Sequence, residues 1–464
     1  MSGGREAFRR AAFWGGCFTL LLAVRLCYVR VLWVDEAYGL AAARRILEGA
    51  ALYRDIWFDK PPLYAWIYLL WGAKDGWLLR VGGALFALLC CWLAARTAAA
   101  LFGPLEGRFA AAGMAFFLAF DHPSATISLA PDLLLIPFTL GAIWAVVRNR
   151  PLLAGGCAAA GLLANAKALL LLPLLIFWRP SGWRQTAGAY LLTAAGVCLA
   201  AWGWWEPVWV WGSLYSSHTF VLNPVAEAIK RTANWAGFHA ALVLAGGAYF
   251  VRANEHRRHF ALWFSAALAM VAAGARFFPR YYFALLPPAV VTAARGVCLV
   301  RRRGFAALLA LTLAVPAVRF GMRHVDTLRS RPAAMRDLAM WEECRQAATR
   351  LRSLSSPGDT LFVWGYRPEL NVLAGMPGTT RFLDSQPLTG VFADRHLTSR
   401  EASAAALARR NRKELVRFRP SFIADGLGPY NPSLAITQFE DLRDWLAHYQ
   451  LVAQTPGFRI YRRQ

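Results

Sequence analysis

Apolar runs separated by short polar stretches set the plan of the chain. They fall at residues 11–33, 78–95, 109–120, 129–147, 152–163, 168–178, 187–205, 236–251, 260–274, 282–300 and 305–318. A helix crossing a hydrocarbon layer of about 30 Å needs about 20 apolar residues, so the pattern predicts a polytopic helical membrane protein with about eleven crossings, several of them short. Two readings stand around Lys167: two short spans, or one long kinked helix. Between the first and second runs lies a polar stretch, residues 34–77, with two candidate helices at 36–48 and 63–71. Neither is uniformly apolar, and both suit the membrane interface.

Beyond residue 318 the pattern changes. Residues 319–464 are polar, with strand-like runs at 360–365, 381–383, 421–424 and 459–461 and helical candidates at 334–354, 400–417 and 439–449. That alternation predicts a small α/β domain. The chain thus divides into a transmembrane part, residues 1–318, carrying an amphipathic first outer loop, and a tail domain, residues 319–464. No internal repeat stands out.

Charge orients the plan. With the N-terminus cytoplasmic, inner loops carry Arg5, Arg9, Arg10, Arg96, Arg108, Arg148, Arg150, Arg179, Arg184, Arg252, Arg257, Arg258 and Arg301 to Arg303, whereas short outer loops carry Lys167, Arg276 and Arg280. This is the positive-inside bias of a plasma (inner) membrane protein, and it puts the tail domain outside. The first run is read as a retained anchor, since no convincing cleavage site follows it.

Composition agrees. Of 464 residues 57% are hydrophobic and only 17% charged, with a formal net charge of +24. The basic residues are scattered in short clusters between apolar runs, with no basic domain or reader motif, which argues against nucleic acid as a partner. Most of the eight cysteines lie in apolar segments without metal-ligand spacing and read as packing residues.

Candidate chemistry collects on the outer face. Asp35 and Glu36 open the first loop; they either cap the following helix or supply a base that takes a proton from an attacking hydroxyl. Asp59 and Lys60 precede Pro61-Pro62, which stiffens the backbone and holds the Lys60 ammonium in place. Asp121 and His122 mark an outer turn, read first as solvated. Asp132 opens an apolar run, as an N-terminal charge or as an inward-facing acid. Lys167 in GLLANAKALLLLP, and Arg276 and Arg280 in RFFPRYYFALLPP, either contact lipid headgroups or neutralise an anionic substrate at the membrane boundary. A substrate with an apolar tail, an anionic linkage and a reactive headgroup fits this set, and a lipid-phosphate-linked sugar has all three.

The order DEAYGLAAARRILEGAALYRDIWFDKPPLYAWIY, GLLANAKALLLLP, RFFPRYYFALLPP and DTLFVWGYRPELNVLAG resembles the bacterial membrane glycosyltransferases related to protein O-mannosyltransferases and aminoarabinose transferases, glycosyltransferase family 39-like. The resemblance implies a C-type glycosyltransferase fold and a polyprenyl-monophosphate sugar donor. It also implies Asp35 as the catalytic aspartate with Glu36 beside it, and Asp132 as the acid of the second outer loop. Lys60, Lys167 and Arg280 would lie near the donor phosphate, with Tyr281 and Tyr282 as the aromatic residues next to it. The chain departs from the family pattern at Ala166, where Thr is frequent, and at Arg280, where His often stands.

The function expected is transfer of a sugar from the lipid phosphate to an acceptor hydroxyl on lipid, glycan or protein at the outer face. No cofactor is implied; metal use stays open, because related enzymes differ and neither acid cluster has clean ligand spacing. The rivals are a transporter or flippase for a lipid-linked anion, which predicts polar groups at the bilayer midplane and paired interrupted helices, and a non-catalytic scaffold. The acceptor, the sugar and the role of the tail are not legible in the residues.

Overall fold

The computed structural model describes residues 2–200, 224–329 and 336–464. Among the described residues the chain forms two compact units: residues 2–29, 76–200 and 224–329 make one, and residues 30–75 and 336–464 the other.

The first unit is helical. Among the described residues three helices are long and apolar enough to cross a membrane, Gly4–Leu26, Trp77–Leu101 and Arg303–Leu328, and five shorter apolar ones are Pro131–Val147, Pro151–Ala164, Ala166–Trp178, Ala240–Arg252 and Leu286–Leu299. Proline begins several helices: Pro104–Ala119, Pro131–Val147 and Pro151–Ala164 each have one in their first turn, where its missing N–H leaves no bond unmade. The last long helix continues to Leu328, past the composition change at residue 318. An amphipathic helix, Pro224–Phe238, was not expected at all.

Small residues let these helices approach closely. A Cβ added at Gly296 would lie 1.7 Å from the Ala245 carbonyl oxygen, and one at Gly155 would lie 2.2 Å from that of Thr186. Such contacts bring backbones together where lipid supplies no hydrophobic driving force. Arg25, which interrupts the first apolar run, is buried and donates to the carbonyls of Leu21 (3.2 Å) and Thr126 (2.9 Å). Backbone carbonyls thus accept from a guanidinium that lipid would leave without partners.

At Lys167 the helix breaks. Pro151–Ala164 ends at Asn165, which is extended at φ −157°, and the chain restarts as a 3-10 turn, Ala166–Leu170, followed by a helix, Leu171–Trp178. The Asn165 side chain accepts from the Lys167 backbone N–H at 3.0 Å. This cap replaces a continuous helix.

The second unit joins the first polar stretch to the tail. Its sheet has the order β1-β2-β4-β3, with β1 (Leu361–Trp364), β2 (Phe422–Asp425), β3 (Tyr449–Thr455) and β4 (Phe458–Arg463). β1 and β2 are parallel, and the other two pairings are antiparallel. Both faces are covered, so β1 is buried throughout. Leu361 and Val363 face Cys344, Ala347 and Leu351 of the Arg336–Leu354 helix, whereas Phe362 and Trp364 face a second core.

That second core includes Trp57 from the polar stretch, whose backbone N–H donates to the Arg381 carbonyl at 2.7 Å. Residues 381–383 form no strand of the sheet; Phe382 makes an isolated bridge with Trp57 instead. The expected helix at 439–449 is shorter, a 3-10 turn at Glu440–Leu442 and a helix at Arg443–Leu446, because β3 begins at Tyr449. In the polar stretch itself the helices are Val34–Leu47, Leu63–Trp66 and a 3-10 turn at Ile67–Trp71.

Candidate functional sites

In the helical unit, three sequence-predicted residues meet. Asp132 lies in the first turn of Pro131–Val147, where a carboxylate complements the helix dipole. Its Oδ1 accepts from Lys167 Nζ at 2.8 Å and from Asn165 Nδ2 at 3.0 Å, and its Oδ2 lies 3.9 Å from Arg280 Nε. The Lys167 ammonium also sits 3.1 Å from the centroid of the Tyr281 ring, a cation–π contact. The formal sum of Asp132, Lys167 and Arg280 is one positive charge, with the Arg280 side chain 29% exposed and the other two nearly buried. This arrangement can accept one anion.

The segment that supplies Arg280 is strained. Ala275 and Phe277 flank Arg276 at φ +50° and +48°, backbone that side chains rarely adopt, and a 3-10 turn, Pro279–Ala284, follows. Arg276 is buried. The Tyr282 hydroxyl is 3.0 Å from Thr232 Oγ1, and its ring stacks on Trp235, both on the Pro224–Phe238 helix.

Asp121 and His122 form a separate turn. The Asp121 Oδ1 accepts from the His122 backbone N–H at 2.6 Å, and His122 Nδ1 is 2.9 Å from Ser124 Oγ. The other Asp121 oxygen is 3.4 Å from Nε2 of His239, a buried residue stacked between Phe117 and Trp235. Sequence inspection missed His239, which sits 118 positions away with only apolar neighbours. Among the described residues no group of three or more His, Cys, Asp or Glu side chains could hold a metal.

The second unit holds the remaining candidates. Asp35 and Glu36 both lie in the first turn of Val34–Leu47; Glu36 is fully buried and Asp35 half-buried. Asp59 is buried, salt-bridged to Lys60, and accepts from the Tyr38 hydroxyl at 3.0 Å. Tyr53, at φ +72°, donates to the Lys60 carbonyl at 2.8 Å and so fixes the backbone that the two prolines stiffen. The Tyr38 ring stacks on Phe58 at 4.9 Å and lies 5.8 Å from Tyr366, the second residue after β1.

Asp384 joins this group from the tail. It is 2% exposed, and its Oδ1 accepts from the Gln386 backbone N–H at 2.7 Å. Burial pushes its carboxyl up to about 7; the charge of Asp59 adds to the rise, and the Gln386 bonds and Lys60 oppose it. Tyr38 is held well above the ordinary tyrosine range, chiefly by burial and then by Asp59 and Asp384. Asp384 carried no signal in the sequence, and Tyr366 lay within DTLFVWGYRPELNVLAG without standing out from it. A single acid in a polar tail has no pattern around it.

No protein-family model matches this chain, and no curated protein does. Solved structures do match, and they share the fold of this chain. ArnT from Cupriavidus metallidurans bound to undecaprenyl phosphate superposes with a TM-score of 0.59 at 14% identity, covering 99% of this chain and 98% of that one. The apo state of the same protein gives 0.56 at 14% identity, covering 97% and 98%. The Archaeoglobus fulgidus oligosaccharyltransferase in its apo form gives 0.50 at 13% identity, covering 94% of this chain and 73% of that one. At these identities the likeness is one of fold.

Proposed function

We propose that this protein is a membrane glycosyltransferase that moves a sugar from a polyprenyl-monophosphate donor to an acceptor hydroxyl at the outer face of the plasma membrane. The observation that carries the reading is the Asp132–Lys167–Arg280 cluster with Tyr281 beneath the ammonium, in a chain whose fold matches ArnT bound to undecaprenyl phosphate along nearly its whole length. Two cations on one carboxylate leave net positive charge for a phosphate. The ring of Tyr281 keeps the Lys167 ammonium in place when Asp132 shares it.

In this reading Lys167 and Arg280 neutralise the donor phosphate, so that it departs as a stabilised anion. Lys60 is a further phosphate cation, and Arg276 and Tyr282 shape the segment that presents Arg280. Asp35 is the base that takes the acceptor proton as the sugar–phosphate bond breaks, in one inverting displacement. Glu36, being buried, positions the helix turn that carries Asp35. Asp132 holds the two cations in place. The proposal extends to topology: about eleven crossings, the N-terminus in the cytoplasm, and residues 319–464 outside. Lipid, glycan and protein hydroxyls are all acceptors of suitable chemistry.

The test is release of polyprenyl phosphate from a polyprenyl-phosphate-linked sugar by the purified protein in lipid nanodiscs, supplied with envelope lipid and glycan acceptors. Stoichiometric lipid phosphate and glycosylated acceptor support the reading. Movement of intact donor between leaflets of proteoliposomes, with no bond broken, would establish the transport alternative instead.

A further inference from the structure

The Val34–Leu47 helix turns Arg44, Arg45 and its C-cap Glu48 toward one side, as residues three and four apart on a helix do. With Asn371, Met376 and Phe382 of the tail they line a cavity of about 180 Å³ within the second unit. Arg44 is taken up by the fold: it donates to the Ala73 and Val372 carbonyls at 3.1 and 2.8 Å and pairs with Asp75. Arg45 is not. Its Nη1 donates to the Thr380 carbonyl at 2.6 Å and its Nη2 reaches that of Asp55 at 3.5 Å, which leaves the remainder of its five N–H donors unused. It makes no ion pair among the described residues, the Asp55 carboxylate being held by Arg54.

Glu48 supplies acceptors. It is exposed, and its carboxylate bonds no described residue, although Arg44 and Arg45 precede it on the same helix face. A negative charge at the C-terminal end of a helix also opposes the helix dipole, so the fold gains nothing from it there. Asn371 uses one N–H on the Leu383 carbonyl at 3.3 Å, and its Oδ1 accepts from no described group. Met376 and Phe382, 9% and 4% exposed, form an apolar wall. Unused donors, unused acceptors and an apolar wall thus surround one space. An anion entering it meets the charge of Glu48, and a cation that of Arg45. A hydroxyl can donate to Glu48 while its neighbour accepts from Arg45.

We propose that this cavity holds one ring of a neutral saccharide, with its hydroxyls on Arg45, Glu48 and Asn371 and its C–H face on Met376 and Phe382, and that the acceptor of the transferase is accordingly a glycan. The second half rests on the function proposed above; the first does not. The volume is below the roughly 300–1,000 Å³ of pockets that enclose a whole ligand, so one ring of a longer molecule is the fit. Arg45 follows Asp35 by ten positions, about 15 Å along the helix, and lies on another face of it. The ring held here is therefore not the ring that reacts, and the site selects oligosaccharides over single sugars.

Binding is measured without donor, by ligand-observed NMR on the full-length protein in lipid nanodiscs. The probes are neutral tetrasaccharides of glucose, mannose, galactose and N-acetylglucosamine, with tetragalacturonate as the anionic comparison. A neutral probe is expected to bind, and Glu48→Ala to weaken it about tenfold, the loss of one hydrogen bond to a charged group. Arg45→Lys, which keeps the charge and loses the fork of donors, should weaken it as well. If no neutral probe binds the wild type, which needs no variant to fold, the proposal fails. It fails too if Glu48→Ala and Arg45→Lys both bind as the wild type does. Tetragalacturonate bound more tightly than every neutral probe, and more tightly still by Glu48→Lys, would make the cavity an anion site instead. With donor present, transfer to the tetrasaccharide that binds should show a KM about tenfold higher in Glu48→Ala, as expected when a contact made equally in ground and transition states is lost. An unchanged KM, or no transfer to it by a protein that releases lipid phosphate to other acceptors, removes the glycan from the acceptor role. No lipid-phosphate release at all refutes the transferase and leaves the saccharide site standing.

Discussion

The Lys167 ammonium and the Asp132 carboxylate meet at 2.8 Å across 35 residues of sequence, and Asn165 bonds the same carboxylate oxygen at 3.0 Å. The helix break at Asn165 makes this meeting possible, because it turns the backbone at the point where the cation must reach the first turn of Pro131–Val147. One neutral amide therefore serves two purposes, capping the 3-10 turn and orienting Asp132.

The pair is nearly buried, with side-chain exposures of 14% and 10%, so removing one member strands the other. Either Lys167→Met or Asp132→Asn alone should lower stability in detergent by about 3 kcal/mol, and the double variant should recover most of that loss. Their effects on lipid-phosphate binding should diverge. Lys167→Met is expected to weaken it, whereas Asp132→Asn removes a negative charge from the site and should bind at least as tightly as wild type. Equal weakening by both variants would show that Asp132 itself contacts the ligand.

Much of this site was legible in the chain, for a physical reason. A lysine or arginine between apolar runs breaks a strong pattern, so Lys167 and Arg280 stand out, and so does the acid Asp132. Asn165 does not, because a neutral amide in ANAK disturbs no pattern. The Pro224–Phe238 helix was missed because its charged residues, Glu227, Lys230 and Arg231, disqualify it as a span while its apolar face has no strand or span signature. In the tail, β1, β2 and β4 were visible as apolar runs. β3 was hidden by the helix-like EDLRDWLAHY before it and by its own half-exposed residues. The partnership of Trp57 with the tail sheet is a contact between segments over 300 residues apart, which no local pattern encodes.

Asp35 and Glu36 share a helix turn but differ in exposure, Glu36 being fully buried. The two carboxylates should therefore separate in experiment. Asp35→Asn is expected to reduce sugar transfer by about 10²-fold or more, the range lost with a general base, while thermal stability stays near wild type. Glu36→Gln should chiefly lower stability. Full transfer activity in a folded Asp35→Asn protein would remove Asp35 from the role of base.

Helix contact in the first unit can be probed at Gly296. An alanine there would place its Cβ 1.7 Å from the Ala245 carbonyl oxygen, and backbone atoms cannot move aside as a side-chain tip can. The Ala240–Arg252 and Leu286–Leu299 helices must then separate. Gly296→Ala should cost at least about 1–3 kcal/mol, the ordinary penalty of overpacking. Gly247→Ala on the same pair of helices meets nothing within 4 Å and is the control. Equal melting temperatures for the two variants would mean that the close approach is absent.

Two buried groups of the tail give its stability opposite dependences on pH. Burial pushes His396 down to about 4; its Nε2 lies 3.2 Å from Thr389 Oγ1, and its Nδ1 has no partner among the described residues. The unfolded histidine takes a proton near 6.5, so between pH 6.5 and 4 the unfolded state binds more protons, and stability falls as pH falls. The window of about 2.5 units is on the order of 3 kcal/mol. Asp384 runs the other way. Its carboxyl is raised from an ordinary 3.8 to about 7, so the folded state binds more protons across that interval, and stability falls as pH rises through it. Replacing it by Asn should therefore stabilise the tail at pH 8, by up to about 4 kcal/mol on the same conversion, and change little at pH 4. The measurement is hydrogen exchange of the β1 and β2 amides in the full-length protein from pH 4 to 8, which reports the opening free energy of the tail. Between pH 4 and 6.5 the two contributions oppose each other, so His396→Gln should leave stability falling as pH rises from 4 to 7, and Asp384→Asn should leave it rising from pH 4 to 6.5. If Asp384→Asn is no more stable than wild type at pH 8, its carboxyl is not held against ionisation.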